Sequence, residues 1–304
     1  MVLILERLAD SKTPMNRQEH YDIVTWANEA PDAEQREFRQ AVHTILAAIA
    51  NNPCLKSTMV IKGGILLGVR YHSPRFTKDI DFSTTGNLAA MSADYVRSAF
   101  ESSLVQVVEE LDYDLDCRVQ SCKVNPQNRP DASFPSIELK IGHAYKGSPK
   151  HKRLQKLQSP SVVSIDFSLN EKILGVESLK LGSSGTINAY TFSDLVAEKF
   201  RSLLQQESRD RYRRQDVFDL SKLSELDASD DERRAILKSL MEKSRARGIE
   251  PLPDSMDNAE LKRRAQADYQ TLDDEIEGPL TEFETAYEIV RSFYQSLPWF
   301  GNMD

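Results

Sequence analysis

The chain has 304 residues, of which 28% are charged and 40% hydrophobic, a balance typical of a folded globular protein and not of a disordered one. The net charge of −8 argues against nonspecific coating of nucleic acid, although it leaves room for a local basic patch. No segment reaches the roughly 18 apolar residues that cross a membrane. The N-terminal apolar run is also too short for a signal peptide. We therefore expect a cytoplasmic protein that contacts no membrane.

The first part of the chain alternates between helical and strand patterns. Apolar spacing predicts, in order, a helix over residues 17–51, a strand over 59–61, a helix over 65–69, a strand over 79–82 and a helix over 92–111. Three further segments alternate strictly between apolar and polar residues, over 115–119, 137–141 and 163–167. That alternation predicts a sheet with one face on a core and the other face open.

From Phe192 onward the strand signal stops. Helical patterns cover residues 194–206, 217–226, 231–245, 259–275 and 280–297. These patterns predict an α+β protein, in which an N-terminal mixed β-sheet flanked by helices is followed by an all-α C-terminal region. We place the domain boundary so that residues 1–190 form the α/β domain and residues 191–304 form the helical domain.

Two aspartates on the predicted strand over 79–82 are candidates for binding a metal ion. Ile80 and Phe82 point into the core, so Asp79 and Asp81 share the opposite face. Two carboxylates at this spacing repel each other unless a cation lies between them, and Mg²⁺ prefers oxygen ligands of this kind. A pair of solvated carboxylates on an open sheet face is the alternative interpretation.

A diglycine precedes this strand at a predicted strand-to-helix turn. Because the two glycines of Lys62-Gly63-Gly64 have no side chains, an anion can approach the backbone N–H groups at the start of the following helix. The helix dipole also favours a phosphate at this end. A Gly-Gly pair alone more often marks a simple turn. Its position one short helix before Asp79 and Asp81 makes a nucleotide-phosphate site the more specific interpretation.

Lys62-Gly63-Gly64, together with the segment from Arg75 to Ser83, resembles the signature of the AbiEii/AbiGii toxin family. That family belongs to the DNA polymerase β-like nucleotidyltransferase superfamily. The resemblance implies a nucleotidyltransferase-like sheet in which Asp79 and Asp81 bind Mg²⁺, with Mn²⁺ as an alternative. It also implies that Gly63 and Gly64, with Lys62, contact the phosphates of a nucleoside triphosphate. A helical C-terminal region would complete the active-site cleft.

The superfamily adds a third carboxylate from a later strand. Asp166 lies on the polar face of the predicted strand over 163–167 and is the first choice for this metal ligand. Glu138 shows the same alternation on its own strand and is the second choice. The resemblance leaves the decision between them open.

A later family motif places Glu-Lys on a helix and then Arg-Asp-x-x-Asp-Leu. Here Glu198-Lys199 is followed by Arg214-Gln215-Asp216 and Asp219, so a glutamine interrupts the motif and the register of Arg213 against Arg214 stays open. The resemblance assigns Lys199 and Asp216 to catalysis, and Lys199, Arg214 and Asp219 to nucleotide binding. Lys199 also lies on the apolar stripe of its helix, where an ammonium needs a carboxylate or a phosphate. Asp216 could instead only cap its helix.

The resemblance implies a toxin of a toxin–antitoxin or phage-exclusion system, restrained by a cognate antitoxin. It would transfer a nucleoside monophosphate to an acceptor hydroxyl, with the 3′ end of tRNA as first choice. A basic loop over residues 146–156 could contact the backbone of such an RNA. A protein hydroxyl is an alternative acceptor. A catalytically silent nucleotide-binding regulatory module is a further alternative, favoured by Gln215.

Overall fold

The structure, a computed structural model, describes residues 20–299 except residues 128, 130 and 131, and it leaves the side chains of residues 20 and 21 undescribed. Eight strands form one mixed sheet in the order β1-β7-β8-β2-β3-β6-β5-β4. The strands are β1 (His20–Tyr21), β2 (Val60–Lys62), β3 (Asp79–Ser83), β4 (Leu115–Asn125), β5 (Ser136–Tyr145), β6 (Val162–Ser168), β7 (Val176–Leu181) and β8 (Thr186–Tyr190). The predicted α+β class with an N-terminal mixed sheet is confirmed.

Helices flank the sheet and make up the C-terminal region. They are α1 (Ile23–Asn28), α2 (Ala33–Asn51), α3 (Pro53–Thr58), α4 (Gly63–Tyr71), α5 (Ala93–Glu110), α6 (Pro149–Leu154), α7 (Phe192–Leu204), α8 (Arg214–Ser224), α9 (Asp230–Arg245), α10 (Ala259–Gln266) and α11 (Phe283–Gln295). Three short 3₁₀ helices lie at Gly182–Ser184, Ser255–Asp257 and Tyr269–Glu275. No helix within the described ranges is long and apolar enough to cross a bilayer.

Three details differ from the sequence prediction. The helix predicted over 17–51 starts outside the described residues, and the rest is split into α1 and α2, because Asp32 caps a new helix by accepting the N–H of Gln35 at 2.8 Å. The helix predicted over 259–275 ends at Gln266, since Asp268 adopts a left-handed φ of 57°. The hairpin of β7 and β8 was not predicted.

The alternation on β3 and β6 sorts their side chains by face. Ile80 and Phe82 on β3 and their partners Ile165 and Phe167 on β6 are fully buried. α2 packs against this part of the sheet, and α5 packs against α2 and β4. The opposite face carries the aspartates and lies beneath the C-terminal helices, so the apolar core fixes the direction in which the carboxylates point.

The strands end at Tyr190, and every described regular element after it is helical. The boundary between residues 1–190 and 191–304 stays a prediction. The two parts are joined by a backbone seam, in which Phe76 donates its N–H to Glu275 at 2.7 Å and Glu277 donates its N–H to Pro74 at 3.0 Å. An isolated antiparallel bridge between Arg75 and Ile276 completes this seam.

Candidate active site

A polar cleft of about 530 Å³ lies between the sheet and the C-terminal helices. One wall comes from β2, β3 and β6, and the other comes from α7 and α8 with the segment that joins them. The predicted site residues that line this cleft are Lys62, Gly63, Gly64, Asp79, Asp81, Asp166, Lys199 and Asp216. The fold therefore brings together residues that are up to about half the chain apart in sequence.

Three carboxylates form the sheet wall of the cleft. Asp81 and Asp166 are direct partners in the parallel pairing of β3 with β6, and Asp79 lies two residues before Asp81 on the same face. Desolvation raises the pKa of Asp81 to about 6, and the charges of Asp166 and Asp79 add to that rise against the opposing effect of Lys62. Burial and the charge of Asp166 likewise raise the pKa of Asp79. Burial and the neighbouring carboxylates therefore outweigh the positive charge that Lys62 brings to this wall.

The two candidates for the third carboxylate are neighbours on adjacent strands. Glu138 on β5 lies opposite Asp166 on β6. Glu138 accepts a hydrogen bond from Asn125 at 3.0 Å and lies 3.3 Å from the Lys123 ammonium. Asp166 lines the cleft, whereas Glu138 does not. The geometry therefore favours Asp166 for a role inside the cleft, although that role stays a prediction.

The diglycine turn has no room for side chains. Gly63 adopts a φ of +72° as the first residue of α4, and a Cβ there would lie 2.1 Å from the Asp81 Oδ2 atom. A Cβ on Gly64 would lie 2.8 Å from the Cγ2 atom of Thr77. The sequence needs glycine at both positions because Asp81 packs against the backbone of Gly63 and Thr77 packs against that of Gly64.

The helical wall is built around a buried network of ion pairs. Lys199 on α7 donates to Asp216 Oδ1 at 3.0 Å and to Asp219 Oδ2 at 2.7 Å. Arg75 binds Asp219 in a bidentate manner, with both distances 2.9 Å. Burial would raise the pKa of Asp219, but Arg75 and Lys199 outweigh it and hold that pKa at about 2. The charges within this network therefore compensate one another, and the ammonium of Lys199 has the carboxylate partners that its place on the apolar stripe requires.

A second buried network supports α7 from behind. Arg201 donates to Glu198 Oε1 at 2.6 Å, and Lys243 on α9 lies 3.2 Å from Asp194 Oδ2. Burial would raise the pKa of Glu198, but the positive charges of Arg201, Lys62 and Lys243 hold it well below its usual range. The pair of Lys243 with Asp194 joins α9 to α7, the helix that carries Lys199.

Two predicted nucleotide-binding residues lie outside the lining of the cleft. Arg214 donates to Glu275 at 3.1 Å, and it is Arg213 that lines the cleft. Asp219 lies behind Arg75 and Lys199, both of which do line the cleft. If these two predicted residues influence a bound nucleotide, they do so through their neighbours, and their roles stay predictions.

The cleft also contains residues that the sequence interpretation did not single out. Arg209 and Arg211 lie exposed at its rim, and with Arg213 they form a row that we call the arginine rim. Their side chains make no hydrogen bond or ion pair with any described residue. The run from Arg209 to Arg214 is visible in the sequence, but runs of this kind are usually solvated loops, so only the fold shows that this one borders the cleft.

The basic loop over residues 146–156 lies away from the cleft. It contains α6, and some of its side chains are paired: Lys146 with Glu109 at 3.0 Å, Lys150 with Glu37 at 3.6 Å and His151 with Asp116 at 2.9 Å. None of its side chains lines the cleft. The arginine rim is therefore the better placed candidate for contact with a polyanion.

A mixed sheet that presents paired aspartates beside a diglycine turn is the arrangement that the resemblance to a nucleotidyltransferase implies. The family model described as "Nucleotidyl transferase AbiEii toxin, Type IV TA system" matches residues 44–289. The chain belongs to that family, and the predicted resemblance is confirmed. No curated protein sequence matches the chain.

The chain is similar to solved structures at low sequence identity. MenT4, a nucleotidyltransferase toxin from Mycobacterium tuberculosis H37Rv, has 16% identity and a TM-score of 0.52, with 92% of this chain and 89% of that chain covered. JHP933 from Helicobacter pylori has 14% identity and a TM-score of 0.46, with 86% of this chain and 90% of that chain covered. The likeness to MenT4 supports the fold.

Proposed function

We propose that the protein transfers a nucleoside monophosphate from a nucleoside triphosphate to the 3′-terminal hydroxyl of tRNA and releases pyrophosphate. It would do so in the cytoplasm, as the toxin whose activity a cognate antitoxin restrains. The observation that carries this proposal is the carboxylate set of Asp79, Asp81 and Asp166, which faces the diglycine turn inside one cleft.

The donor chemistry of the sheet wall fits a divalent cation. Burial raises the pKa of Asp81 to about 6, with a further contribution from the charges of Asp166 and Asp79, and a cation bound by the three carboxylates would remove that repulsion. Among the described residues, no group of three or more Asp, Glu, His or Cys side chains is already close enough together to hold a metal ion. Asp79, Asp81 and Asp166 would hold Mg²⁺, or Mn²⁺, which accepts the same oxygen ligands. When bound, the ion would neutralise phosphate charge and orient the reacting phosphate.

The remaining residues of the cleft have roles in binding and proton transfer. The backbone N–H groups at Gly63 and Gly64 and the ammonium of Lys62 would bind the β- and γ-phosphates. The acceptor oxygen would attack the α-phosphorus, the bond from that phosphorus to the bridging oxygen would break, and pyrophosphate would leave. The carboxylate of Asp166 would take the proton of the acceptor hydroxyl.

Lys199 would stabilise the phosphates with the donor capacity that remains to it. An ammonium has three N–H donors, and two of them bind Asp216 and Asp219. The third is available to the cleft, which Lys199 lines. Asp216 would assist by orienting that ammonium, so both residues would position charge and would not exchange protons.

The arginine rim supports a polyanionic acceptor. Arg209, Arg211 and Arg213 border the cleft without a carboxylate partner among the described residues. Phosphates of an RNA would supply the missing counter-charges at the mouth, although the protein as a whole is acidic. A protein acceptor would need no such row of unpaired arginines.

The direct test is nucleotide incorporation. Purified protein incubated with Mg²⁺, total tRNA and each α-labelled triphosphate in turn should yield labelled RNA, and Asp81→Asn should abolish the label. Asp166→Asn should do the same, whereas Glu138→Gln, a matched change on the neighbouring strand, should retain activity. Labelling that survives Asp81→Asn would refute this mechanism. Label found on protein instead of RNA would show that the acceptor is a protein hydroxyl and not tRNA.

A further inference from the structure

One aromatic side chain interrupts the polar lining of the cleft. Phe134 lies just before β5 and is the only aromatic residue among the described residues that line the cleft. The Arg247 guanidinium lies 3.4 Å from the centre of its ring. Glu171 holds that guanidinium with a contact of 2.6 Å.

This arrangement fixes the ring in one orientation. The side chains of Arg247 and Glu171 are only 9% and 10% exposed, so the ion pair is largely shielded from water. The guanidinium stacked on the ring restrains Phe134, which lines the cleft beside Arg247 and Glu171. Most other residues that line the cleft are charged or polar. An apolar ring among them fits a ligand that has a planar group able to stack on it.

Strand register places this ring at a definite distance from the diglycine turn. Lys62 pairs with Asp81, so Gly63 follows at the level of Ile80 on β3. At the other end, Ser83, Ser168 and Ser136 lie side by side, and the pairing extends one step further because Leu169 donates its N–H to Pro135 at 2.9 Å. Phe134 precedes Pro135.

The turn and the ring are thus about five residue levels apart along the strands, or roughly 16 Å at about 3.3 Å per residue. They are also three strands apart across the sheet, which adds roughly 14 Å in the perpendicular direction at about 4.8 Å per strand. A triphosphate bound at the turn reaches the ring only in an extended conformation that crosses the sheet diagonally. Asp81 and Asp166 lie between the two ends. The order of sites along the sheet, from turn to carboxylates to ring, matches the order of terminal phosphates, reacting phosphate and base in the substrate.

We propose that Phe134 is the stacking platform for the base of the incoming nucleoside triphosphate, held in place by Arg247 and Glu171. This inference rests on the proposed function, because it assigns one end of the same substrate. The ring adds affinity for the base through its π face and leaves the phosphates to Gly63 and Gly64.

The test compares ligands with and without a base. Dissociation constants are measured with Mg²⁺ for ATP, CTP, GTP, UTP and inorganic tripolyphosphate, on wild type and on Phe134→Ala, Phe134→Leu and Phe134→Trp. Phe134→Ala should weaken the best-bound triphosphate by roughly tenfold and leave tripolyphosphate unchanged. Phe134→Leu should behave like Phe134→Ala, and Phe134→Trp should restore binding. Tyr95→Ala, a change of an exposed aromatic on α5, is the control and should have no effect.

Three outcomes would overturn the platform. Equal weakening of tripolyphosphate would show that Phe134 only supports the cleft structurally. Unchanged triphosphate binding, or an effect confined to the KM of the RNA acceptor, would show that the base of the incoming nucleotide lies elsewhere. Wild-type protein that binds no triphosphate would contradict the proposed function itself, which the wild-type titration reveals separately from the variants.

Discussion

The two walls of the cleft treat charge in opposite ways. On the sheet wall, burial and the repulsion among Asp79, Asp81 and Asp166 raise the pKa of Asp81 to about 6. On the helical wall, Arg75 and Lys199 surround Asp219 and hold its pKa at about 2. The buried ion pairs of the helical wall therefore need no ligand, and only the arginine rim at its edge is left unpaired, whereas the carboxylates of the sheet wall lose their mutual repulsion when a cation binds. This difference separates residues that maintain the site from residues that bind the reacting groups.

The largest effect should come from breaking the compensated wall. Lys199→Met leaves Asp216 and Asp219 buried with fewer partners, and we expect it to lower the free energy of unfolding by about 3–5 kcal/mol. Chemical denaturation measures this loss. Arg97→Gln, which breaks an exposed pair with Glu101, is the matched control and should cost below about 0.5 kcal/mol. A loss of that small size for Lys199→Met would show that the helical wall is not held by its charges.

Neutralising the sheet wall should have the opposite sign. Asp81 ionises less readily when folded, with a pKa of about 6 against 3.8, so its contribution to stability is lost as the pH rises through that interval. Asp81→Asn should therefore be more stable than wild type without metal, by up to about 3 kcal/mol above pH 7. Below pH 4 the difference should vanish. Denaturation at a series of pH values tests this, and a difference independent of pH would contradict it.

The sheet wall also depends on the absence of a side chain at Gly63. Gly63→Ala places a methyl group against Asp81 at a positive φ, which we expect to cost about 1–2 kcal/mol and to abolish nucleotide transfer by displacing the carboxylate. Gly68→Ala, in the same helix with open space around it, should instead stabilise by about 0.5–1 kcal/mol. If the two variants behave alike in melting and activity assays, the site does not depend on the absence of a side chain at Gly63.

The smallest effect is the response to metal. Mg²⁺ at ten times its dissociation constant should stabilise wild type by about 1.4 kcal/mol, which raises the melting temperature by about 2–4 °C. A chelator should reverse this shift. Asp81→Asn should show no shift, and Glu138→Gln should keep it. A shift of equal size in Asp81→Asn would mean that the ion binds outside the sheet wall.

Local patterns were sufficient to predict much of the sheet wall. Alternation on β3 and β6 placed Asp79, Asp81 and Asp166 opposite a buried face, because the direction of a strand side chain follows from its neighbours. The turn at Gly63 followed from its position between strand and helix. The β7–β8 hairpin was missed because β7, Val176–Leu181, buries only Leu179 and Leu181. Two buried positions are too few to produce a recognisable alternation of apolar and polar residues.

Contacts between distant residues could not be predicted from local patterns. Arg75 and Asp219 are 144 residues apart, and nothing in either neighbourhood specifies the other. Phe134 and Arg247 likewise lie on unrelated segments that meet only through the fold. Gln215 interrupts a family motif in sequence, yet Asp216 still binds Lys199, since the helix geometry and not the preceding residue positions that carboxylate.

The backbone seam between Pro74–Thr77 and the segment around Glu275 has a practical consequence for dissecting the chain. Phe76 and Arg75 precede β3, the strand that carries Asp79 and Asp81, but their partners Glu275 and Ile276 come about 200 residues later. A fragment that stops at residue 190 would lose the backbone hydrogen bonds that Glu275 and Glu277 make with Phe76 and Pro74. It would also lose Asp219, the buried partner of Arg75. Truncation experiments on this enzyme should therefore keep the C-terminal residues up to at least Glu277, or supply them as a separate polypeptide.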